Sequence, residues 1–455
     1  MMKKRIKIRG NMKKTANQNI KPITTTINGK QHLEIGGCDL VELAQQYGTP
    51  LMVYDYQTIK SICEDYKNAF ANYPNIQMLY ASKAFMTKGI CQIVSKYGFG
   101  FDLVSGGEIY TAHSANVDMA TTLFNGNNKT LDEIKLALNV GVGIFSADNY
   151  FELEHLNNLS KEQNKISNIL LRITPGIECH THEYIQTGHL DSKFGFDLTQ
   201  LDNAIEKILK DFKNLNIKGL HAHIGSQIFE TKVYEDEVKI ILKEIKRLNK
   251  KFGINLNEVN LGGGLGITYT DKDFPPSIYE IAQIITNTIK STCDELNLEL
   301  PKIYIEPGRS IVGTSGITLY TIGSTKTVPN GRTYFAVDGG MADNVRPAMY
   351  QAEYTIECAN KITEEKNKTV TLSGRFCESG DIIKKDVKMP ELQDGDVICV
   401  YNTGAYGYSM ASNYNRVQKP CVVLVNNSQS AMIVRRESLD DLVAHDEMID
   451  SSLLS

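Results

Sequence analysis

The chain has 455 residues, of which 42% are hydrophobic and 22% charged, with a net charge of -4. That is an ordinary globular balance, long enough for two domains, and it gives no reason to expect nucleic acid or an anionic membrane as partner. No apolar stretch approaches the roughly 18 residues of a membrane-spanning helix, and nine scattered cysteines without a C-x-x-C pair suggest reduced thiols in the cytoplasm.

Residues 1–26 read as a basic, disordered arm, since eight of the first 22 are Lys or Arg and none is acidic. A strand is expected around Ile27–Ile35. From residue 50 short apolar runs alternate with longer helical patterns. Leu51 to Asp55 opens the series, followed by a helical stretch from Thr58 to Phe70. Eight runs then follow: Ile76–Ala81, Gly100–Val104, Thr121–Phe124, Gly143–Phe145, Asn168–Ile173, Ile217–His223, Glu258–Leu261 and Lys302–Ile305. Between them Leu201, Ile205, Ile208, Leu209 and Phe212 are spaced for one buried helical face, and Tyr234 to Leu248 and Ile278 to Leu296 repeat the habit. Eight βα units predict a (β/α)8 TIM barrel over 50–312, with a doubly wound open sheet as the rival. After Val312 short β-rich runs separated by turn signals predict a second, all-β domain over 313–455, which also takes in the N-terminal strand within 27–49.

The carboxyl ends of those eight strands carry the polar residues, and barrel enzymes build their active sites from the loops at that face. In order they present Lys83; Asp102 with Ser105-Gly106-Gly107-Glu108; Asn125-Gly126; Ser146; Arg172 and Thr174; His223-Ile224-Gly225-Ser226; Gly262-Gly263-Gly264; and Glu306-Pro307-Gly308-Arg309. The glycine run lets backbone N–H groups approach an anion, and its place after the seventh strand is where barrels favour phosphate. Arg309 adds a bidentate charge. A lysine, a phosphate cradle and a carboxylate on neighbouring strand ends suit pyridoxal 5'-phosphate: Lys83 as the Schiff-base residue, the glycines for the phosphate, Glu306 against the pyridinium nitrogen. Asp102 either touches this site or merely orders a turn. His221, two positions before His223, reads as barrel filling.

Tyr80-Ala81-Ser82-Lys83, His223-Ile224-Gly225-Ser226, the glycine run, Glu306-Pro307-Gly308-Arg309, Cys377-Glu378-Ser379-Gly380-Asp381 and Gly404-Ala405-Tyr406 together resemble the motif set of the diaminopimelate decarboxylases, within the alanine-racemase-like class of pyridoxal-phosphate enzymes. The resemblance runs from about residue 30 to 440, in the family's order. It implies a barrel plus a β domain, and decarboxylation of meso-diaminopimelate to L-lysine. It implies that Lys83 binds the cofactor covalently and His223 stacks on its ring. Ser226, Gly264, the stretch Glu306, Pro307, Gly308 and Arg309, and Tyr406 would surround the phosphate. Cys377 would donate the proton that replaces carbon dioxide. Arg309, Arg346 and Tyr350 match positions that clamp a distal carboxylate, and Glu378 faces the distal amine, with Tyr406 nearby. Cys377 and Glu378 would come from a partner subunit, making a homodimer the working unit.

Two arginines near one site suit a zwitterionic tail better than a purely cationic one. A related decarboxylase acting on ornithine, arginine or carboxynorspermidine is the alternative, and a non-catalytic cofactor-binding regulator is the alternative from another class. Cys179-His180-Thr181-His182 with His189 has the look of metal ligands, but it sits in a long loop without an evident convergent partner, so no metal is expected. The loop over 180–195 is long and polar enough to act as a lid.

Overall fold

The computed structural model describes residues 12–177 and 192–454. The chain divides into two compact units, one comprising Thr58–Thr314 with the segment up to Ile20, the other Lys21–Gln57 with the chain from Ser315 onward.

The first unit holds eight parallel strands: β1 (Ile76–Ala81), β2 (Gly100–Leu103), β3 (Leu123–Phe124), β4 (Ile144–Ala147), β5 (Ser167–Thr174), β6 (Leu215–His221), β7 (Glu258–Asn260) and β8 (Lys302–Ile305). Each pairs with the next, and β8 returns to β1 with Ile303 opposite Ile76, so the sheet closes. This is the expected (β/α)8 barrel and not an open doubly wound sheet. Helices start where polar side chains follow the strands. Thr87, Ser105, Asn149 and Ser277 each accept a first-turn N–H, and Thr130 and Glu133 form a reciprocal capping box. On the Leu201–Asp211 helix Leu201, Ala204, Ile205 and Ile208 are buried, whereas Leu209, expected on the same face, is exposed.

Period-2 alternation sets the barrel filling in layers. Leu79, Leu123, Leu170 and Tyr304 meet in one buried cluster that forms an apolar floor. Each buried leucine of this kind contributes about 1.5–3 kcal/mol. Two residues beyond Leu123, Leu170 and Tyr304 stand buried Asn125, Arg172 and Glu306, whereas Leu79 is followed by Ala81, and the ends of the other strands add further buried polar residues. Asn125, Arg172 and Asn260 come from the odd strands; Asp102, Ser146, His221 and Glu306 come from the even ones. The register supports this, with His221 opposite both Arg172 and Asn260.

The arm expected over 1–26 is built into structure where it is described. Residues 16–18 form a short 3-10 helix; buried Asn17 donates to the carbonyls of Gly266 and Pro276, and Lys13 pairs with Asp65 at 2.6 Å. Two specific backbone acceptors outweigh a basic composition that by itself predicts disorder.

The second unit is β-rich. Its large sheet runs Ile382–Met389, Lys368–Ser373, Thr333–Val337, Gly316–Thr327, Leu51–Asp55, Cys421–Asn426 and Gln429–Val434, with Val397–Tyr401 joining Gly316–Thr327 to Ile356–Cys358. The run Leu51–Asp55, grouped with the barrel by sequence, is therefore a strand of this sheet. It pairs antiparallel with Gly316–Thr327 and parallel with Cys421–Asn426. All five of its residues are buried, and periodicity alone cannot say which sheet such a strand enters. The stretch around Ile27–Ile35 forms a small antiparallel sheet of its own, Thr26–Ile27, Leu33–Ile35 and Cys38–Asp39. No described helix is long and apolar enough to cross a membrane.

Candidate active site

Lys83 lies in a 3-10 turn directly after β1, exposed between buried Ser82 and Ala84. The turn is closed by Tyr80, whose hydroxyl donates to the Phe85 carbonyl at 2.6 Å. The end of β1 also abuts the Glu306 turn. Ala81 N–H donates to Pro307 at 3.1 Å, and a Cβ on Gly308 would stand 2.8 Å from the Ala81 Cβ. Lysine and the Glu306–Arg309 turn are thus fastened together by backbone.

Glu306, just past β8, is buried and receives the Asn260 amide at 2.6 Å. Burial opposes its charge, yet His221, His223 and the Asn260 hydrogen bond together hold its carboxyl below the usual range. His223 is half-buried; burial, then the nearby Lys83 charge, pushes its imidazole well below the ordinary value. Its Nδ1 accepts the Gly263 N–H at 3.3 Å.

The loops after β6 and β7 are clipped to each other. The Gln227 side chain bonds Ile267 through both its amide and its carbonyl, at 2.7 and 3.1 Å, and Ile228 bridges Leu265. Glycines are required where they meet. Gly264 has φ +102°, and a Cβ there would stand 2.5 Å from the Gly225 carbonyl oxygen; one on Gly263 would stand 2.1 Å from that of Glu306. Beside them buried Arg309 donates to Ser226 Oγ at 2.8 and 3.3 Å and to the Tyr269 hydroxyl at 2.6 Å. Tyr269 carried no sequence signal; only the contact with Arg309 reveals it.

Other strand-end residues are sorted by their partners. Ser105 caps its helix, and Glu108 accepts the Val104 N–H at 2.8 Å, with its carboxyl raised to about 7 by burial. Arg172 donates to Asn125 at 3.1 Å and lies 3.9 Å from Asp148. Thr174 donates to Phe194. Asp102 is buried, its carboxyl driven well above the usual range by burial and then by the Glu306 charge. Neither of its oxygens, nor the Ser82 hydroxyl, has a hydrogen-bond partner among the described residues. Asp102 therefore belongs to the polar layer at the mouth and not to a turn. His221, set aside as filling, stands 3.6 Å from Glu306.

These features fit pyridoxal 5'-phosphate. There is a lysine amine, a buried carboxylate held below its usual range that could meet a ring nitrogen, and a backbone cradle that a methyl group would fill. Orphaned polar atoms line the same mouth.

The remaining expected site residues lie in the second unit. Arg346 is buried, its guanidinium 5.3 Å from the ring centre of Tyr350 and 5.6 Å from that of Tyr406, and its Nε donates to the Tyr354 hydroxyl at 3.1 Å. Tyr406 adopts φ +62° in its glycine-flanked turn. Cys377 is the one exposed cysteine among the described residues, and Glu378 beside it is exposed as well. Their loop is anchored by buried Asp381, which accepts N–H groups from Met341 and Phe376 at 2.8 and 2.9 Å. Cys179, His180, Thr181, His182 and His189 lie outside the described residues, as does most of the 180–195 loop.

Residues 57–313 match the model of the pyridoxal-dependent decarboxylase, pyridoxal binding domain. The diaminopimelate decarboxylase of Synechocystis sp. is 46% identical, with 94% of this chain and 93% of that protein covered. That of Bacillus subtilis is 45% identical over 93% and 97%. Among solved structures, diaminopimelate decarboxylase from M. jannaschii in complex with L-lysine has a TM-score of 0.88 at 34% identity, covering 94% of this chain and 98% of that one. The Helicobacter pylori enzyme, also complexed with L-lysine, has a TM-score of 0.81 at 33% identity, covering 89% and 98%. With Lys83, Glu306, the glycine cradle and Arg309 at one barrel mouth, the chain belongs to the diaminopimelate decarboxylase family of pyridoxal-dependent decarboxylases.

Proposed function

We propose that the chain removes carbon dioxide from meso-diaminopimelate to give L-lysine, with pyridoxal 5'-phosphate as cofactor. The observation that carries this reading is Glu306, buried, anionic and fastened to the turn that bears Lys83. Bound pyridoxal phosphate supplies an electron sink for the carbon that loses its carboxylate. Lys83 holds the cofactor covalently, and Glu306 keeps its ring nitrogen protonated. His223 offers a flat face for stacking. Ser226, Gly264 and the Glu306–Arg309 turn hold the phosphate, with Tyr406 beside it.

The substrate's distal end is zwitterionic. Arg309, Arg346 and Tyr350 suit its carboxylate, and Glu378 its ammonium. Cys377 returns a proton to the α carbon. In this reading the enzyme is a cytoplasmic homodimer, with Cys377 and Glu378 supplied to the site by the partner subunit. The acid and amine pair at the distal end distinguishes this substrate from ornithine, whose tail needs only an acidic partner.

The test is carbon dioxide release and lysine formation from meso-diaminopimelate, run beside ornithine and arginine. Release from meso-diaminopimelate above the other two is expected. Release from none of the three, with cofactor bound, sinks the reading. Lys83→Ala abolishes the visible absorption of the bound cofactor; an unchanged spectrum assigns that role to another lysine.

A further inference from the structure

We infer that Ser146 and His221 form a fixed hydrogen-bond relay behind Glu306, presenting an imidazole Nε2–H to the carboxylate so that it stays anionic toward the cofactor ring. This rests on the proposed use of Glu306. Neither residue would touch substrate or cofactor; both are positioning residues.

The relay follows from the layering of the barrel. Ser146 on β4, His221 on β6 and Glu306 after β8 occupy the same polar layer, and barrel geometry brings side chains of alternate strands together there. His221 is fully buried. Its Nδ1 lies 2.6 Å from Ser146 Oγ, and its Nε2 lies 3.6 Å from Glu306 Oε2. The latter is just beyond hydrogen-bond length, so the contact is electrostatic as it stands and a small shift closes it. Asn260 takes the other carboxylate oxygen at 2.6 Å. Each oxygen of Glu306 therefore faces its own donor.

The tautomer is decided by the carboxylate. With the proton on Nδ1, the Nε2 lone pair would point at an anion. With the proton on Nε2, the ring attracts Glu306, and the Ser146 hydroxyl donates to Nδ1. The ring is also neutral. Burial pushes its protonation down, against the pull of Glu306, while Arg172 on β5 and Asp148 after β4 act in opposite senses. A neutral donor matters here. An imidazolium would compete with the protonated cofactor ring for the same carboxylate, whereas a neutral N–H stabilises the anion and leaves its charge uncompensated.

A residue that only fills the barrel can be replaced by leucine without consequence for the cofactor. The relay makes the opposite prediction. The first measurement needs no cofactor: the protein is labelled with 15N-histidine, and His221 is identified by the signal lost in His221→Gln. The relay requires an Nε2–H tautomer in the wild type and a mixture of tautomers in Ser146→Ala; an Nδ1–H ring in the wild type overturns it. The second measurement titrates the variants with pyridoxal 5'-phosphate and follows the visible band against pH. Losing a donor to a charged group predicts roughly 10- to 100-fold weaker binding and a shifted pH profile in His221→Leu. His221→Gln, which restores a side-chain N–H, recovers most of the affinity. His221→Leu with wild-type affinity and pH profile refutes the relay. If His221→Leu fails to fold, Ser146→Ala and the tautomer decide the matter. Wild-type protein that shows the relay but no turnover of meso-diaminopimelate leaves the relay intact and removes the substrate assignment instead.

Discussion

Replacing Gly263 by alanine tests the cradle with one methyl group. Gly263 lies outside the left-handed region, so alanine meets no backbone penalty there, and any cost is contact alone. The new Cβ would stand 2.1 Å from the Glu306 carbonyl oxygen and 3.0 Å from its carbon. Carbon atoms rest at about 3.5–4.0 Å, so one side must yield by more than an ångström. Neither side is free to do so. Glu306 N–H is tied to Gly262 at 2.6 Å, and Gly263 N–H to His223. Overpacking of this kind costs about 1–3 kcal/mol. Where that cost falls on the holo geometry, it is a factor of about 5 to 150 in cofactor affinity. The assay is equilibrium titration of the cofactor-free protein with pyridoxal 5'-phosphate, alongside a thermal melt to detect any cost to the fold. Gly98→Ala is the control. It carries φ +79° with nothing within 4 Å, so it costs backbone energy far from the barrel mouth and leaves affinity unchanged. Gly263→Ala binding within twofold of wild type, with the same visible spectrum, would show that the glycine run is not a close-approach cradle.

Arg309→Lys replaces a fork that reaches Ser226 and Tyr269 together with a single ammonium. The expected loss is about 1.5–3 kcal/mol in binding of pyridoxal phosphate. Pyridoxal without its phosphate should be little affected; equal losses for both ligands would refute a phosphate role. Asp381→Asn turns one acceptor of the Met341 and Phe376 N–H groups into a donor, loosening the loop that carries Cys377. Alkylation of Cys377 is expected to speed up several-fold in the native protein, and an unchanged rate would show that Asp381 does not hold this loop.

Much of this site can be read from strand ends. All eight barrel runs were legible because each is a short β-rich apolar run bounded by polar turns, and Lys83, His223, Glu306 and Arg309 follow those runs directly. What escaped did so for physical reasons. Ile382–Met389 is an edge strand whose outward lysines break the apolar pattern, so it does not look like a strand. Leu51–Asp55 looks like a barrel strand because burial on both faces is the same signal in either sheet. The 3-10 segment at Ala16–Gln18 depends on acceptors some 250 residues away, which no local pattern records. Tyr269 acts through Arg309, a partner brought close only by the fold, and Asp381, quoted in the motif without a role of its own, acts in part through the distant Met341 N–H. Ser105 and Glu108 sat in a plausible motif yet serve local geometry, the first as a helix cap.

His221 shows most clearly how one residue can carry two readings. Its position two before His223 correctly implied that it points into the barrel, and inward-pointing usually means filling. That inference assumes an apolar interior. Here the interior changes character along its axis: Leu79, Leu123, Leu170 and Tyr304 make an apolar floor, two residues further Arg172 and Glu306 follow Leu170 and Tyr304, and Asp102 and Asn260 end other strands. A charged group in that layer cannot be solvated by water as it would be outside, so every neighbour must contribute a dipole or a charge. Asn260 donates to Glu306 and His221 stands 3.6 Å from it, while Asp102 at the same mouth has no hydrogen-bond partner among the described residues and burial, then the Glu306 charge, drives its carboxyl well above the usual range. Two buried carboxyls at one mouth are thus pushed in opposite directions, Asp102 up by burial and the Glu306 charge, Glu306 down by His221, His223 and the Asn260 hydrogen bond. Burial in this layer strengthens each nearby dipole and charge, and in the proposed relay those neighbours favour the charged form of Glu306 over that of Asp102.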